Sequence, residues 1–191
     1  MPIVAVLDAN VLYPAPIRDL LLHMAFLSVY QPKWSDKIQQ EWTRSLLAKR
    51  SDLKKSSLTN TCKWMDTVFP DARTLKDKEL KTPINLPDKD DVHIVETAIN
   101  SNANYIITFN LKDFPKDEIG KYNVEAIHPD DFVCQMLDDL PDVVLEAFHN
   151  QVSLLKKPAK TAVEVLKAIQ RCGLPKTENK LRRLIQTSSV T

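Results

Sequence analysis

The sequence is poor in glycine, with Gly120 and Gly173 the only two in 191 residues, beside 12 prolines. A Walker A loop needs two glycines bracketing four residues ahead of Lys-Ser/Thr, and a dinucleotide fingerprint needs three in one short turn. Neither can be assembled here, so phosphate chemistry must rest on carboxylates, metals or cationic side chains. Cysteine is scarce too. Cys62, Cys134 and Cys172 are odd in number and far apart, which excludes a full disulfide framework and a CxxC zinc knuckle and points to a reducing, cytoplasmic location. There is no run of about 18 apolar residues and no basic-then-apolar start, so neither a membrane span nor a signal peptide is expected.

What is present is an ordinary globular composition, 43% hydrophobic and 27% charged. The length suits one domain with a helical extension. A net charge of +1 hides an asymmetry: residues 1–155 carry 17 Lys and Arg against 23 Asp and Glu, and residues 156–191 carry 9 against 2. An acidic body precedes a basic tail.

Ile3 to Leu7 is a continuous apolar run ending at Asp8, as expected of a strand buried on both faces in a parallel sheet. Residues 17–29 follow helical spacing through Ile17, Leu20, Leu21 and Met24. A second helix is predicted from the Ser35-Asp36 cap, carrying Ile38, Trp42 and Leu46 inward, and a third over 57–69. Residues 76–90, with Pro83 and Pro87, read as a loop. Asp91, Ile94, Val95 and Ala98 share a helical stripe, followed by short strands at 105–108 and 124–127 and a helix from Pro129. Beyond that only helix signals occur, at 141–156, 160–172 and 176–186. Strands alternating with helices predict an α/β fold with a parallel sheet.

Ligands of open parallel sheets bind beyond the carboxyl ends of the strands. Asp8 follows the first strand and Asp113 the strand at 105–108, at the same edge. The helix headed by Asp91 runs antiparallel to the strand after it, which brings its N-terminus to that edge as well. Each acid also reads as a helix or turn cap, and Glu41, flanking the Ile38-Trp42 stripe, as a solvated helix residue. Convergence is harder to explain that way. Two carboxylates about 5 Å apart at an effective dielectric near 20 repel by roughly 3 kcal/mol, and a full set of four by up to about 20. That rivals the roughly 5–15 kcal/mol stability of a domain. Such a cluster must take up protons or divalent cations, and all-oxygen donors suit Mg²⁺ or Mn²⁺.

The segments Asp8-Ala9-Asn10-Val11-Leu12, Ile38-Gln39-Gln40-Glu41-Trp42, Asp88 to Val95 and Thr108-Phe109-Asn110-Leu111-Lys112-Asp113-Phe114 resemble, in order, the motifs of PIN domains, in particular the VapC-type toxins of bacterial toxin–antitoxin pairs. The resemblance spans residues 1–135 and leaves 136–191 as a helical, basic extension. It implies a Rossmann-like α/β/α sandwich and a Mg²⁺- or Mn²⁺-dependent endoribonuclease acting on structured RNA, transfer or ribosomal. Asp8, Glu41, Asp91 and Asp113 become the catalytic and metal-binding quartet, with Asn10, Thr108 and Asn110 as polar supports. Asp88 and Asp90 stay open as alternatives to Asp91, and Glu96 as an added acid or a surface residue. The implied partner is a small antitoxin, with homodimerisation also admitted.

On this reading the metal lowers the pKa of a water that attacks the scissile phosphate in line, leaving 5′-phosphate and 3′-hydroxyl ends. His23 and His93 are not needed; His93 projects about 200° from Asp91 and reads as structural. Arg44, Lys49 and Arg50, beyond Glu41, and Lys180, Arg182 and Arg183 in the tail are candidate RNA contacts, weighed against solvated helical faces. A haloacid-dehalogenase-type phosphatase would need an acid at position 10, where Asn stands. The alternative from another class is a non-catalytic PIN-like RNA-binding or assembly module.

Overall fold

A computed structural model describes residues 2–75, 83–156 and 158–188. The first part of the loop expected over 76–90, and Lys157 of the basic tail, lie outside the described residues. In chain order the elements are β1 (Val4–Leu7), α1 (Ala9–Leu12), α2 (Ala15–Phe26), β2 (Gln31–Lys33), α3 (Asp36–Lys49), α4 (Lys55–Val68), α5 (Val92–Asn100), β3 (Tyr105–Ile107), α6 (Lys116–Ile119), β4 (Glu125–Ile127), α7 (Pro129–Asp139), α8 (Pro141–Leu154), α9 (Ala162–Arg171) and α10 (Pro175–Ser188). Single 3-10 turns occupy Lys89–Asp91, Leu111–Asp113 and Gly120–Tyr122. The class is α/β, as the alternation of strands and helices predicts.

The chain divides into two compact units, one of Met1–Tyr13 and Tyr30–Ile127, the other of Pro14–Val29 and His128–Thr191. In the first, four strands in the order β2-β1-β3-β4 form an all-parallel sheet. Ala5, Val6 and Leu7 are fully buried, which accounts for the unbroken apolar run. The connection after β1 leads to one edge and the chain after β3 to the other, so the switch in strand order falls between β1 and β3, where ligands of such sheets lie. The ladder persists beyond both strands: Asp8 N donates to the Ile107 carbonyl at 3.2 Å and Thr108 N to that of Ile127 at 3.0 Å. Asp8 and the segment from Thr108 are thereby held side by side.

Strand β2 carries no apolar signal, and nothing in the local sequence predicts it. Its Pro32 cannot donate to a ladder, which is tolerated at a sheet edge, and β2 is an edge strand. The Ser35 hydroxyl caps α3, accepting from Ile38 N, while Ile38, Gln39, Trp42 and Leu46 are buried.

The second unit is helical: α2 packs on α8, and α10 on α7 and α9. Gln151 Nε2 donates to the Pro16 carbonyl at 2.9 Å. Buried Asp130 of α7 accepts from Lys176 N at 3.0 Å and Thr177 N at 2.7 Å, satisfying orphan donors of the α10 N-terminus. A capping box between Thr161 and Glu164 starts α9 at Ala162 rather than 160.

Glycine scarcity shows at the helix ends. α2, α5 and α9 each close with the paired backbone bonds of a Schellman motif: Val29→Met24 with Ser28→Ala25, Ala103→Ala98 with Asn102→Ile99, and Leu174→Ile169 with Gly173→Gln170. Of these three, only α9 has glycine as its left-handed residue (φ 98°); α2 uses Ser28 at φ 61° and α5 uses Asn102 at φ 51°.

Candidate active site

Asp8 is 5% exposed and stands at the N-cap position of α1, yet its side chain makes no capping hydrogen bond. Its Oδ2 accepts instead from Asn10 Nδ2 at 2.6 Å and Thr108 Oγ1 at 2.7 Å. Thr108, fully buried, accepts in turn from Asn10 Nδ2 at 2.9 Å and Asn110 N at 3.0 Å. Asn10 Oδ1 takes the Phe109 N–H at 3.1 Å. The orientation of the Asn10 amide is thereby fixed, because its nitrogen must face the carboxylate. Burial raises the Asp8 carboxyl above its ordinary range, opposed by the hydrogen bonds from Thr108 and Asn10.

The sheet edge gathers the other expected acids around Asp8. Asp91 closes the 3-10 turn one residue ahead of α5, again without a capping bond from its side chain. Its carboxyl is raised to about 6, first by burial and then by the charges of Asp8, Asp88, Asp113 and Glu41. Glu41 on α3 is also raised, chiefly by burial and further by Asp8 and Asp90, with Lys37 and Arg44 opposing. Asp113 ends the 3-10 turn after β3, its backbone N–H donating to the Asn110 carbonyl at 3.0 Å. A cavity of about 530 Å³ is lined by Asp8, Asn10, Glu41, Asp91 and Asn110, together with Tyr13, Ser45 and Lys49. Among the described residues, no three His, Cys, Asp or Glu side chains are gathered closely enough to grip a metal ion between them.

Asp88, left open by the sequence, is spent on capping: its Oδ1 accepts from Asp90 N at 2.8 Å. Asp90 is exposed and Glu96 half-buried. His93 is the residue that spacing missed. Its Nε2 lies 3.0 Å from Glu41 Oε1, off the ring's N–H direction, so neither ring nitrogen has an aligned hydrogen bond. Burial pushes its pKa down to about 4, which leaves a neutral imidazole against the carboxyl. Angular position relative to Asp91 on one helix carries no information about α3, the element that brings Glu41 to it.

The candidate RNA contacts divide sharply. Arg50 is engaged by Asp52 through two bonds of 2.7 and 2.6 Å. Lys180 pairs with Asp138 at 2.5 Å and Arg182 with Glu178. Arg44 and Arg183 are exposed, and Lys49 lines the acidic cavity.

Comparison with known proteins adds two family matches. A PIN domain model matches residues 4–112, and a model of the VapC50 C-terminal domain matches residues 129–183. A protein of Mycobacterium tuberculosis (strain ATCC 25618 / H37Rv) described as "Putative ribonuclease VapC50" is 32% identical over 99 residues, which are 52% of this chain and 58% of that protein. The alignment therefore spans less than two thirds of the relative's length. No solved structure matches.

Proposed function

Because the chain belongs to the PIN domain family, we propose that it is a divalent-cation-dependent endoribonuclease that hydrolyses phosphodiester bonds in structured RNA, transfer or ribosomal, and serves as the toxin of a toxin–antitoxin pair. The observation that carries this reading is the convergence of acids on Asp91: its carboxyl is raised to about 6, first by burial and then by the charges of Asp8, Asp88, Asp113 and Glu41. A cluster that resists losing its protons is one whose charge awaits a cation.

The donor set suits Mg²⁺ or Mn²⁺. These hard ions take oxygen ligands, and Mg²⁺ keeps several waters while using one or two carboxylates and substrate phosphate oxygens. A tight three-carboxylate cage is therefore not required. Of Asp8, Glu41, Asp91 and Asp113, one or two would bind the ion directly and the others through its waters. When bound, it lowers the pKa of a water and offsets the charge of the scissile phosphate. The chain's own part is positioning. Asn10 and Thr108 both bind Oδ2 of Asp8 and fix the plane of its carboxylate, while Glu41 and Asp91 line the same cavity. The likeness to "Putative ribonuclease VapC50" supports RNA as substrate, and the resemblance to VapC-type toxins supports a small antitoxin partner and a cytoplasmic setting. No helix among the described residues is long and apolar enough to cross a membrane.

Asp8→Asn tests the reading. The amide oxygen introduced at position 8 can still accept from Asn10 and Thr108, so the variant folds, and cleavage is lost. Induced expression of both proteins in bacteria, with sequencing of RNA 5′ ends, should give growth arrest and new ends for wild type alone. New ends at equal frequency with the variant would remove Asp8 from the chemistry. No cleavage by wild type with either cation would favour the binding-module alternative.

A further inference from the structure

Among the described residues, the cavity that holds the acids has one cationic side chain in its lining, Lys49, and the ring of Tyr13 beside it. Glu41, Ser45 and Lys49 recur every fourth residue of α3, so all three face the same way. Eight residues of helix place Lys49 roughly 12 Å from Glu41 along the axis. The Lys49 ammonium sits 5.5 Å from the centroid of the Tyr13 ring, within the roughly 6 Å reach of a cation–π contact. Among the described residues no carboxylate pairs with it. Its neighbour Arg50 is by contrast occupied by Asp52, and Arg44 is not part of the cavity wall.

Resting on the ribonuclease reading, we propose that Lys49 neutralises a phosphate farther along the RNA strand, beyond the one adjacent to the scissile phosphate, and that Tyr13 is the positioning residue that keeps its ammonium at the cavity mouth. An RNA strand entering this cavity meets the charges of Asp8, Glu41 and Asp91. A cation held among those acids offsets charge at the reacting phosphate. At about 12 Å its influence is screened, since the Debye length at physiological ionic strength is about 8 Å. A phosphate that far along the strand therefore needs a countercharge of its own, and Lys49 is the cation at that distance on the same wall. A lysine on a flexible four-carbon stem otherwise samples solvent; the ring face of Tyr13 narrows that range.

The test reads binding and turnover separately. Anisotropy of fluorescein-labelled transfer RNA on the Asp8→Asn protein across a salt series should show Lys49→Ala lowering the slope of log affinity against log salt by about 0.7–1. Lys49→Ala in the active protein should raise KM roughly tenfold, the worth of one charge-assisted contact, with kcat unchanged. Tyr13→Leu should raise KM about threefold and Tyr13→Phe, which keeps a ring face, should restore it. A Lys49→Ala protein with wild-type slope and KM would overturn the proposal, and Tyr13→Leu behaving as Tyr13→Phe would remove Tyr13 from it. Should wild type cut no RNA with Mn²⁺ or Mg²⁺, the ribonuclease reading fails by itself, while the salt slope still decides Lys49.

Discussion

Thr108 is one hydroxyl with three partners, donating to Asp8 and accepting from Asn10 and the Asn110 amide. Thr108→Val keeps its shape and removes the acceptor of two part-buried donors, at the low end of the about 1–3 kcal/mol that an unmade buried hydrogen bond costs. Urea unfolding should show a loss of that size, and Asp8, released on one side, should carry RNA cleavage down with it. The acids pull in another direction. The Asp91 carboxyl rises from 3.8 to about 6 on folding, so between about pH 4 and 6 the folded state binds a proton that the unfolded chain has released. Its contribution to stability of the metal-free protein therefore falls as pH rises through that window. His93, pushed down from 6.5 to about 4, acts with opposite sign over a similar range. The Asp91 part is isolated as the difference between wild type and Asp91→Asn in thermal melts with chelator, and that difference should grow in favour of the variant up to about pH 6 and then level off.

Among the elements, Ser28 presents an opportunity. It ends α2 at φ 61°, a left-handed conformation that costs a residue with a Cβ roughly 1 kcal/mol. Ser28→Gly should raise stability by about that amount in denaturant unfolding; an unchanged midpoint would mean that the greater freedom of glycine in the unfolded chain cancels the gain. What could be read from sequence follows a physical line. β1 announced itself because burial on both faces demands an unbroken apolar run, and α3 because Ser35 and the Ile38-Trp42-Leu46 stripe mark both its start and its inner face. β2 was invisible, since Gln31-Pro32-Lys33 is defined by its pairing with β1 rather than by its own side chains. The sheet-edge placement of Asp8, Asp91 and Asp113 was inferable from strand and helix direction. The contact between His93 and Glu41 was not, because it joins two helices whose mutual approach no local spacing encodes.

At the scale of the whole molecule, the near-neutral total conceals opposite tendencies. The acidic portion contains a cavity walled by acids, and the cations of the tail are less available than their count suggests. Lys176, Lys180 and Arg182 all hold carboxylates within their own unit. A cation that binds only the folded state stabilises the protein by mass action, about 2.7 kcal/mol at a hundred times its Kd. Titrating Mn²⁺ at neutral pH should raise the melting temperature of wild type steadily with log concentration, and much less that of Asp8→Asn or Asp91→Asn. Equal shifts in all three would place the ion elsewhere.

The bond from Asp130 to the first amides of α10 also sets an order in time. Acceptor and donor are 46 residues apart, and at about 5–20 residues per second of synthesis Asp130 leaves the ribosome some 2 to 9 seconds before Lys176. During that interval the two amides that bind it do not yet exist. α10 therefore finds its starting signal already made, in a part of the chain translated before it.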